Sequence, residues 1–115
     1  MTTNGYNGYA NYQTWAVALW IDNDEGLYND RRSLVARVSE DAGEIYQVSE
    51  GIWTVEQARR YEIADTLKRW VRDEMMPDLG ASLYADLLGS ALDLVDWHEL
   101  AQHWLDEHVE ESAEA

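Results

Sequence analysis

Two helix-start signals constrain the fold of this chain more than any other feature of its sequence. Gln57 follows Thr54 by three positions, and Glu99 follows Asp96 by three positions. Each pair matches a capping box, in which the first side chain caps a helix and the second bonds back to the cap residue. Apolar residues at helical spacing follow both pairs, so the sequence predicts a helix after each.

Similar apolar periodicity recurs along the chain and predicts an all-α protein. Gly43 and Pro77 each end a periodic stretch, because glycine favours helix ends and proline cannot continue a helix. The turn residues at 49–51 also allow a short β-hairpin near 44–53 as an alternative. We expect a compact bundle of about five helices, over residues 12–22, 26–41, 55–76, 83–94 and 97–111. The first is apolar almost all round and is expected to be the central, buried helix.

The length of 115 residues fits one domain. Residues 1–10 are rich in Asn, Gly and Tyr and are predicted to be a flexible segment. Residues 11–112 form the predicted helical domain, and residues 113–115 form the end of an acidic tail. No apolar run approaches the roughly 18 residues that span a bilayer, and the first residues do not resemble a signal peptide. We therefore expect an intracellular protein.

Charge is distributed unevenly along the chain, which has 8 basic and 23 acidic residues and a formal net charge of −15. Residues 1–30 contain four acidic residues and no Lys or Arg, and residues 31–72 contain all eight bases. Residues 73–115 contain twelve acidic residues and no base. A base-free segment of this kind repels itself and costs stability. The charge argues against direct binding to nucleic acid or an anionic membrane and favours a basic partner surface.

The sequence contains no catalytic or metal-binding motif. Cysteine is absent, which excludes disulfides and thiolate sites. The three histidines of the last predicted helix are five residues apart, so successive rings point about 140° apart and do not converge on a metal. Asp22 and Asp24 resemble the start of a calcium loop, but Ser33 stands where that loop needs Glu. We predict no enzyme activity, no bound metal and no cofactor.

Two segments of the chain resemble segments of small uncharacterised proteins from phages and other mobile elements. Residues 11–28 read NYQTWAVALWIDNDEGLY and are similar to the opening pattern NYxTWxVxLWxxND of that group. Residues 81–101 read ASLYADLLGSALDLVDWHELA and are similar to its closing pattern SLxxDLLxxALxxVxWxEIA. The resemblance implies a mobile-element setting, and hence the cytoplasm of a host cell. It brings no catalytic assignment.

In size, acidity and helix content the chain also resembles phage DNA-mimic anti-restriction proteins, whose carboxylates stand in for DNA phosphates. This resemblance implies an inhibitor of a host nucleic-acid-binding defence protein, either a restriction enzyme or a CRISPR effector. The contact would be made with the basic groove of that protein. The predicted partner-binding residues are Asp73, Glu74, Asp78, Asp86, Asp93, Glu99, Asp106, Glu107, Glu110 and Glu111.

Other interpretations of the sequence stay open. The chain has six tryptophans, more than one small core needs. A protein partner could therefore be bound by exposed Trp or Tyr side chains, and not by charged ones. The acidity could also serve solubility or reflect a proteome-wide adaptation, and a homodimer would lengthen an acidic face. The bases are expected to form ion pairs with the acidic blocks, and Arg31, Arg32 and Arg37 are expected to lie off the apolar face of their helix.

Overall fold

The computed structural model describes residues 5–114, and within this range the chain forms six α-helices and no β-strand. The helices are α1 (Tyr12–Asn23), α2 (Glu25–Asp41), α3 (Tyr46–Ser49), α4 (Val55–Arg69), α5 (Leu83–Asp93) and α6 (Trp97–Glu114). Five of them are long, which confirms the predicted all-α bundle. The remaining residues of the two predicted terminal segments, 1–4 and 115, lie outside the described residues. No helix within 5–114 has both the length and the hydropathy to cross a bilayer.

Side-chain caps begin the helices close to the predicted positions. Thr54 and Gln57 form the complete capping box of α4, with bonds of 3.1 and 3.0 Å. Asn11, Asp24 and Ser82 each accept a hydrogen bond from a backbone N–H three residues onward, at the starts of α1, α2 and α5. These bonds satisfy N–H groups that have no partner within the helix.

The core lies where α4 and α6 pack against each other and against α2. Ile63 and Leu67 of α4 are fully buried, as are Leu100 and Trp104 of α6. The expectation that α1 is the central helix is wrong, because its exposed side carries Trp20, which is 73% exposed. An all-round apolar pattern shows that a helix can be buried but not which neighbours cover it.

The helix predicted over 55–76 changes geometry before its end. α4 continues into a π-helical turn, Trp70–Glu74, in which the N–H of Met75 donates to the carbonyl of Trp70 at 2.8 Å. Turns of this kind are inserted into α-helices where the backbone takes up an extra residue. Here the turn brings Arg72 to within 2.6 Å of Asp93, at the end of α5.

Residues 44–53 do not form the β-hairpin that was the alternative suggested by their turn residues. A 3₁₀ turn leads into α3, where the carbonyl of Ile45 accepts from the N–H of Ser49 at 3.2 Å. The carbonyl of Gln47 accepts from the N–H of Trp53 at 2.9 Å. The backbone groups therefore bond to near neighbours in the chain and close turns instead of pairing two strands.

The described part of the N-terminal segment, residues 5–10, packs against α6. The ring of Tyr9 lies 5.5 Å from the ring of His103 and is partly buried against the core. The backbone N–H of Ala10 donates to the Glu99 carboxylate at 3.0 Å. Residues 5–10 therefore contact the helices more closely than the expected flexible segment implies.

Candidate functional site

The ten carboxylates predicted to bind a partner fall into two groups in the fold. One group lies on α6 and consists of Glu99, Asp106, Glu107, Glu110 and Glu111. The other lies on the π-helical turn, the loop after it and α5, and consists of Asp73, Glu74, Asp78, Asp86 and Asp93. The ion pair between Arg72 and Asp93 joins α5 to the π-helical turn that carries Asp73 and Glu74, and we call Asp73, Glu74 and Asp93 the acidic corner.

The α6 group is divided between two sides of that helix. Helical rotation places Glu99, Asp106 and Glu110 within about 40° of one line. Asp106 and Glu110 are exposed, and Glu99 is half-buried. We call these three residues the outer acidic line. Glu107 and Glu111 lie on the edge of α6 that faces α2.

A buried arginine of α2, Arg31, neutralises one of the α6 carboxylates. Arg31 is only 1% exposed, and its guanidinium lies 2.8 Å from Asp22 and 2.6 Å from Glu107. The rings of Tyr28 and Trp104 lie 5.0 and 4.8 Å from the same group. A buried charge is tolerated only with partners of this kind. Glu107 therefore has a structural role, and the expectation that Arg31 lies off the apolar face of its helix is wrong.

Two more of the predicted carboxylates form ion pairs at the surface, Glu111 with Arg32 and Asp93 with Arg72. The expected pairing of bases with the acidic segments is thus confirmed for Arg31, Arg32 and Arg72, whereas Arg69 pairs with Asp65 of its own segment. Within residues 5–114, six predicted carboxylates have no ion pair with Lys or Arg. They are Asp73, Glu74, Asp78, Asp86, Asp106 and Glu110.

The two segments that carry the sequence resemblance meet at the start of α6. The N–H of Glu99 donates to the Asp96 carboxylate at 3.0 Å, which confirms Asp96 as a cap. The N–H of Asp96 itself donates to the buried hydroxyl of Thr14 at 2.9 Å. The side chain of Asn11 donates to the carbonyl of Leu94 at 2.7 Å. These contacts attach the start of α1 to the junction between α5 and α6.

All six tryptophans lie within the described residues 5–114, and one of them is largely exposed. Trp97 and Trp104 are buried, whereas Trp15, Trp53 and Trp70 are half-buried. Trp20 borders an apolar groove of about 210 Å³ between α1, the start of α2 and the π-helical turn. Val17, Leu27, Val71 and Met75 contribute to its walls. A tryptophan-based contact would therefore depend on Trp20.

A comparison with family models covers nearly the whole chain. Residues 2–112 match the model of a family of unknown function, DUF7249. The chain belongs to DUF7249. No curated protein and no solved structure matches it. Membership in DUF7249 assigns no activity to the chain.

The described residues of this DUF7249 member contain no cluster of three or more His, Asp or Glu side chains that could hold a metal ion. Asp24 resembles an early position of a calcium loop in the sequence. In the structure its carboxylate accepts a hydrogen bond from the N–H of Leu27 at 2.9 Å. The carboxylate of Asp24 therefore serves as the cap of α2.

The acidic groups have a local electrostatic effect at Tyr9. Burial raises the pKa of its phenol above the usual value, and the negative charges of Asp22, Glu99 and Glu107 raise it further. Both causes act in the same direction because each disfavours the phenolate. The folded protein therefore favours the neutral phenol of Tyr9 over the phenolate.

Proposed function

We propose that this DUF7249 member inhibits a host nucleic-acid-binding defence protein by placing surface carboxylates in its DNA-binding groove. The target would be a restriction enzyme or a CRISPR effector, met in the cytoplasm of a host that carries a phage or another mobile element. The observation that carries the proposal is the outer acidic line of α6. Asp106 and Glu110 are exposed there without a basic partner among the described residues.

The charge density of α6 is close to that of one DNA strand. Residues 99–111 span about 18 Å of helix, over which one strand of B-DNA carries roughly five phosphates. The same stretch of α6 carries five carboxylates. Arg31 and Arg32 neutralise two of them, so the proposed contact uses the outer acidic line, with the acidic corner as a second region.

The position of the acids on α6 also favours a binding role. The last turn of α6 contains no base, and Glu107, Glu110 and Glu111 lie in its final two turns or just before them. The helix dipole favours cations near this end. Arg31 and Arg32 account for Glu107 and Glu111, whereas Glu110 has no Lys or Arg partner among the described residues, so its acidity is better explained by a binding partner.

The proposal is tested by protection of incoming DNA. Unmodified DNA is introduced into cells that have a restriction or CRISPR system, with and without the chain. The wild type should raise the yield of transformants, and the charge reversal D106K/E110K should abolish this effect. The matched control is D30K/E40K, which makes the same change in net charge on exposed positions of α2. Absence of protection by the wild type, or equal protection by D106K/E110K, contradicts the proposal.

The exposed Trp20 favours a second candidate function, a protein–protein interaction module of a mobile element. Large apolar anchors of this kind carry much of the binding energy in protein interfaces. A contact made through the Trp20 groove should change little with ionic strength, whereas a contact made by carboxylates weakens steeply. Substitution W20A would abolish the first and spare the second.

A further inference from the structure

Helix α5 carries apolar side chains on two opposite sides. Leu88 and Leu92 pack into the core. Leu83 and Leu87 lie on the other side and are 66% and 60% exposed. Leu94, directly after the helix, continues their direction, and rotation of about 100° per residue places all three within about 40° of one line. We call Leu83, Leu87 and Leu94 the outer leucine line.

The outer leucine line belongs to a sizeable exposed apolar surface. Tyr84, which is 70% exposed, lies beside it on the same helix. These side chains together expose on the order of 500 Å², which is at the upper end of what monomeric proteins leave uncovered. Near Leu94 the surface approaches the start of α1, because Asn11 bonds to the Leu94 carbonyl and Tyr12 next to it is exposed.

One edge of the outer leucine line is acidic. Asp86 and Asp93 lie about 20° apart around α5, and both are exposed. Arg72 pairs with Asp93, whereas the structure places no Lys or Arg of residues 5–114 in ion-pair range of Asp86. No Lys or Arg occurs in residues 73–115. The edge therefore attracts positive charge.

We propose that the outer leucine line binds an amphipathic helix of a partner protein, in which Lys or Arg flank the apolar stripe. Leucines one turn and three turns apart suit packing along a second helix. The charge of Asp86 complements a basic flank and sets the orientation of the partner. A second copy of this chain fits poorly, because it would bring another Asp86 and a further net charge of −15 to the same surface.

This inference does not depend on the proposed DNA mimicry, which is centred on the outer acidic line of α6 and needs none of the leucines. The probe is a fluorescently labelled helical peptide of about 18 residues, five turns long, with leucines at i, i+4, i+7 and i+11 between lysines. Its binding to the full chain is followed by fluorescence anisotropy. We expect saturable binding, at least tenfold weaker binding of a scrambled peptide with the same composition, and no binding of the same peptide with Glu in place of Lys.

Variants of the chain locate the contact. L83S/L87S should weaken binding of the basic peptide at least tenfold, since both substitutions remove apolar side chains from the centre of the contact. The matched control I52S/V109S removes two exposed apolar side chains elsewhere and should change the affinity less than twofold. Substitution D86N should reduce the dependence of the affinity on salt.

Circular dichroism and thermal unfolding check that L83S/L87S is folded, and the single variant L87Q replaces it if it is not. Equal affinities of L83S/L87S and I52S/V109S, or no binding of the basic peptide, overturn the proposal. A wild-type dimer that L83S/L87S converts to a monomer in sedimentation also overturns it, because the occupant would then be a second copy. DNA protection by L83S/L87S should equal that of the wild type, so that failures of the two proposals are distinguishable.

Discussion

The guanidinium of Arg31 lies 2.6 Å from the carboxylate of Glu107, which is 76 residues away in the sequence. The pair joins α2 to α6 directly beneath the acidic surface. Arg31 also binds Asp22 of α1 at 2.8 Å, so a single buried charge connects three helices. The acidic segments are therefore attached to the fold by the basic middle segment, and only some of their carboxylates remain for a partner.

Substitution R31M should lower the free energy of unfolding by about 3 kcal/mol, because it leaves the carboxylates of Asp22 and Glu107 together without their cation. Both carboxylates are more than one-third exposed and can still reach water, which places the loss at the lower end of values for buried pairs. Urea unfolding measures the loss. The matched control R32M removes the exposed partner of Glu111 and should leave the urea midpoint near the wild-type value. Similar losses for both variants would contradict the assignment.

Substitution T14V should cost about 2 kcal/mol, since it preserves the shape of the buried side chain but removes two hydrogen bonds. The hydroxyl accepts from the N–H of Asp96 at 2.9 Å and donates to Asn11 at 2.7 Å. The matched control is T66V, whose hydroxyl bonds within α4 to the carbonyl of Glu62. Chemical unfolding of T14V that coincides with that of T66V would show that the junction between α1 and α6 is unimportant for stability.

The raised pKa of Tyr9 predicts a loss of stability in alkali. Its folded-state pKa lies above the ordinary tyrosine value of 10.0, so the folded protein holds this proton more tightly than the unfolded chain. The resulting stabilisation is fully present below pH 10 and is lost as the pH rises through the folded-state pKa. Substitution Y9F removes this part of the alkaline loss, which is measured by urea unfolding between pH 9 and pH 12. The matched control is Y84F on the exposed side of α5, and identical pH profiles of Y9F and the wild type would refute the prediction.

Neutralising different acids of α6 should change stability in opposite directions. D106N/E110Q should raise the free energy of unfolding slightly at low salt, because it removes unpaired negative charge from a segment whose acidic groups repel one another. Substitution E107Q should lower it, because Arg31 then loses a charged partner. Thermal unfolding at low ionic strength distinguishes the two. A loss of stability in D106N/E110Q would show that these carboxylates serve the fold.

Helix positions could be predicted from this sequence because their signals are local. The Thr54 capping box and the Asn11 and Ser82 caps act within one turn of chain, and each begins a helix in the structure. The central helix could not be identified in the same way. Burial of a helix depends on which neighbours cover it, and α1 leaves Trp20 in solvent although its pattern is apolar all round.

The sequence predicts that the candidate site is acidic, but it does not predict which carboxylates share a surface or which are paired with arginine. Sequence alone does not show that Arg72 reaches Asp93 across a loop, or that Glu107 meets Arg31. For Arg31 a signal did exist. It lies four residues after Leu27, within the apolar stripe of α2, but an arginine in such a stripe is ordinarily taken to be exposed.

If the outer acidic line of α6 occupies a DNA-binding groove, the chain should inhibit the enzyme to which that groove belongs. The decisive measurement is the cleavage of DNA by a purified restriction enzyme or CRISPR effector from the host, with increasing amounts of the chain. We expect the wild type to inhibit cleavage, and added DNA or salt to relieve this inhibition. D30K/E40K should retain the inhibition, and D106K/E110K should lose it. Inhibition that is absent, insensitive to the DNA concentration, or undiminished in D106K/E110K would contradict the proposed DNA mimicry.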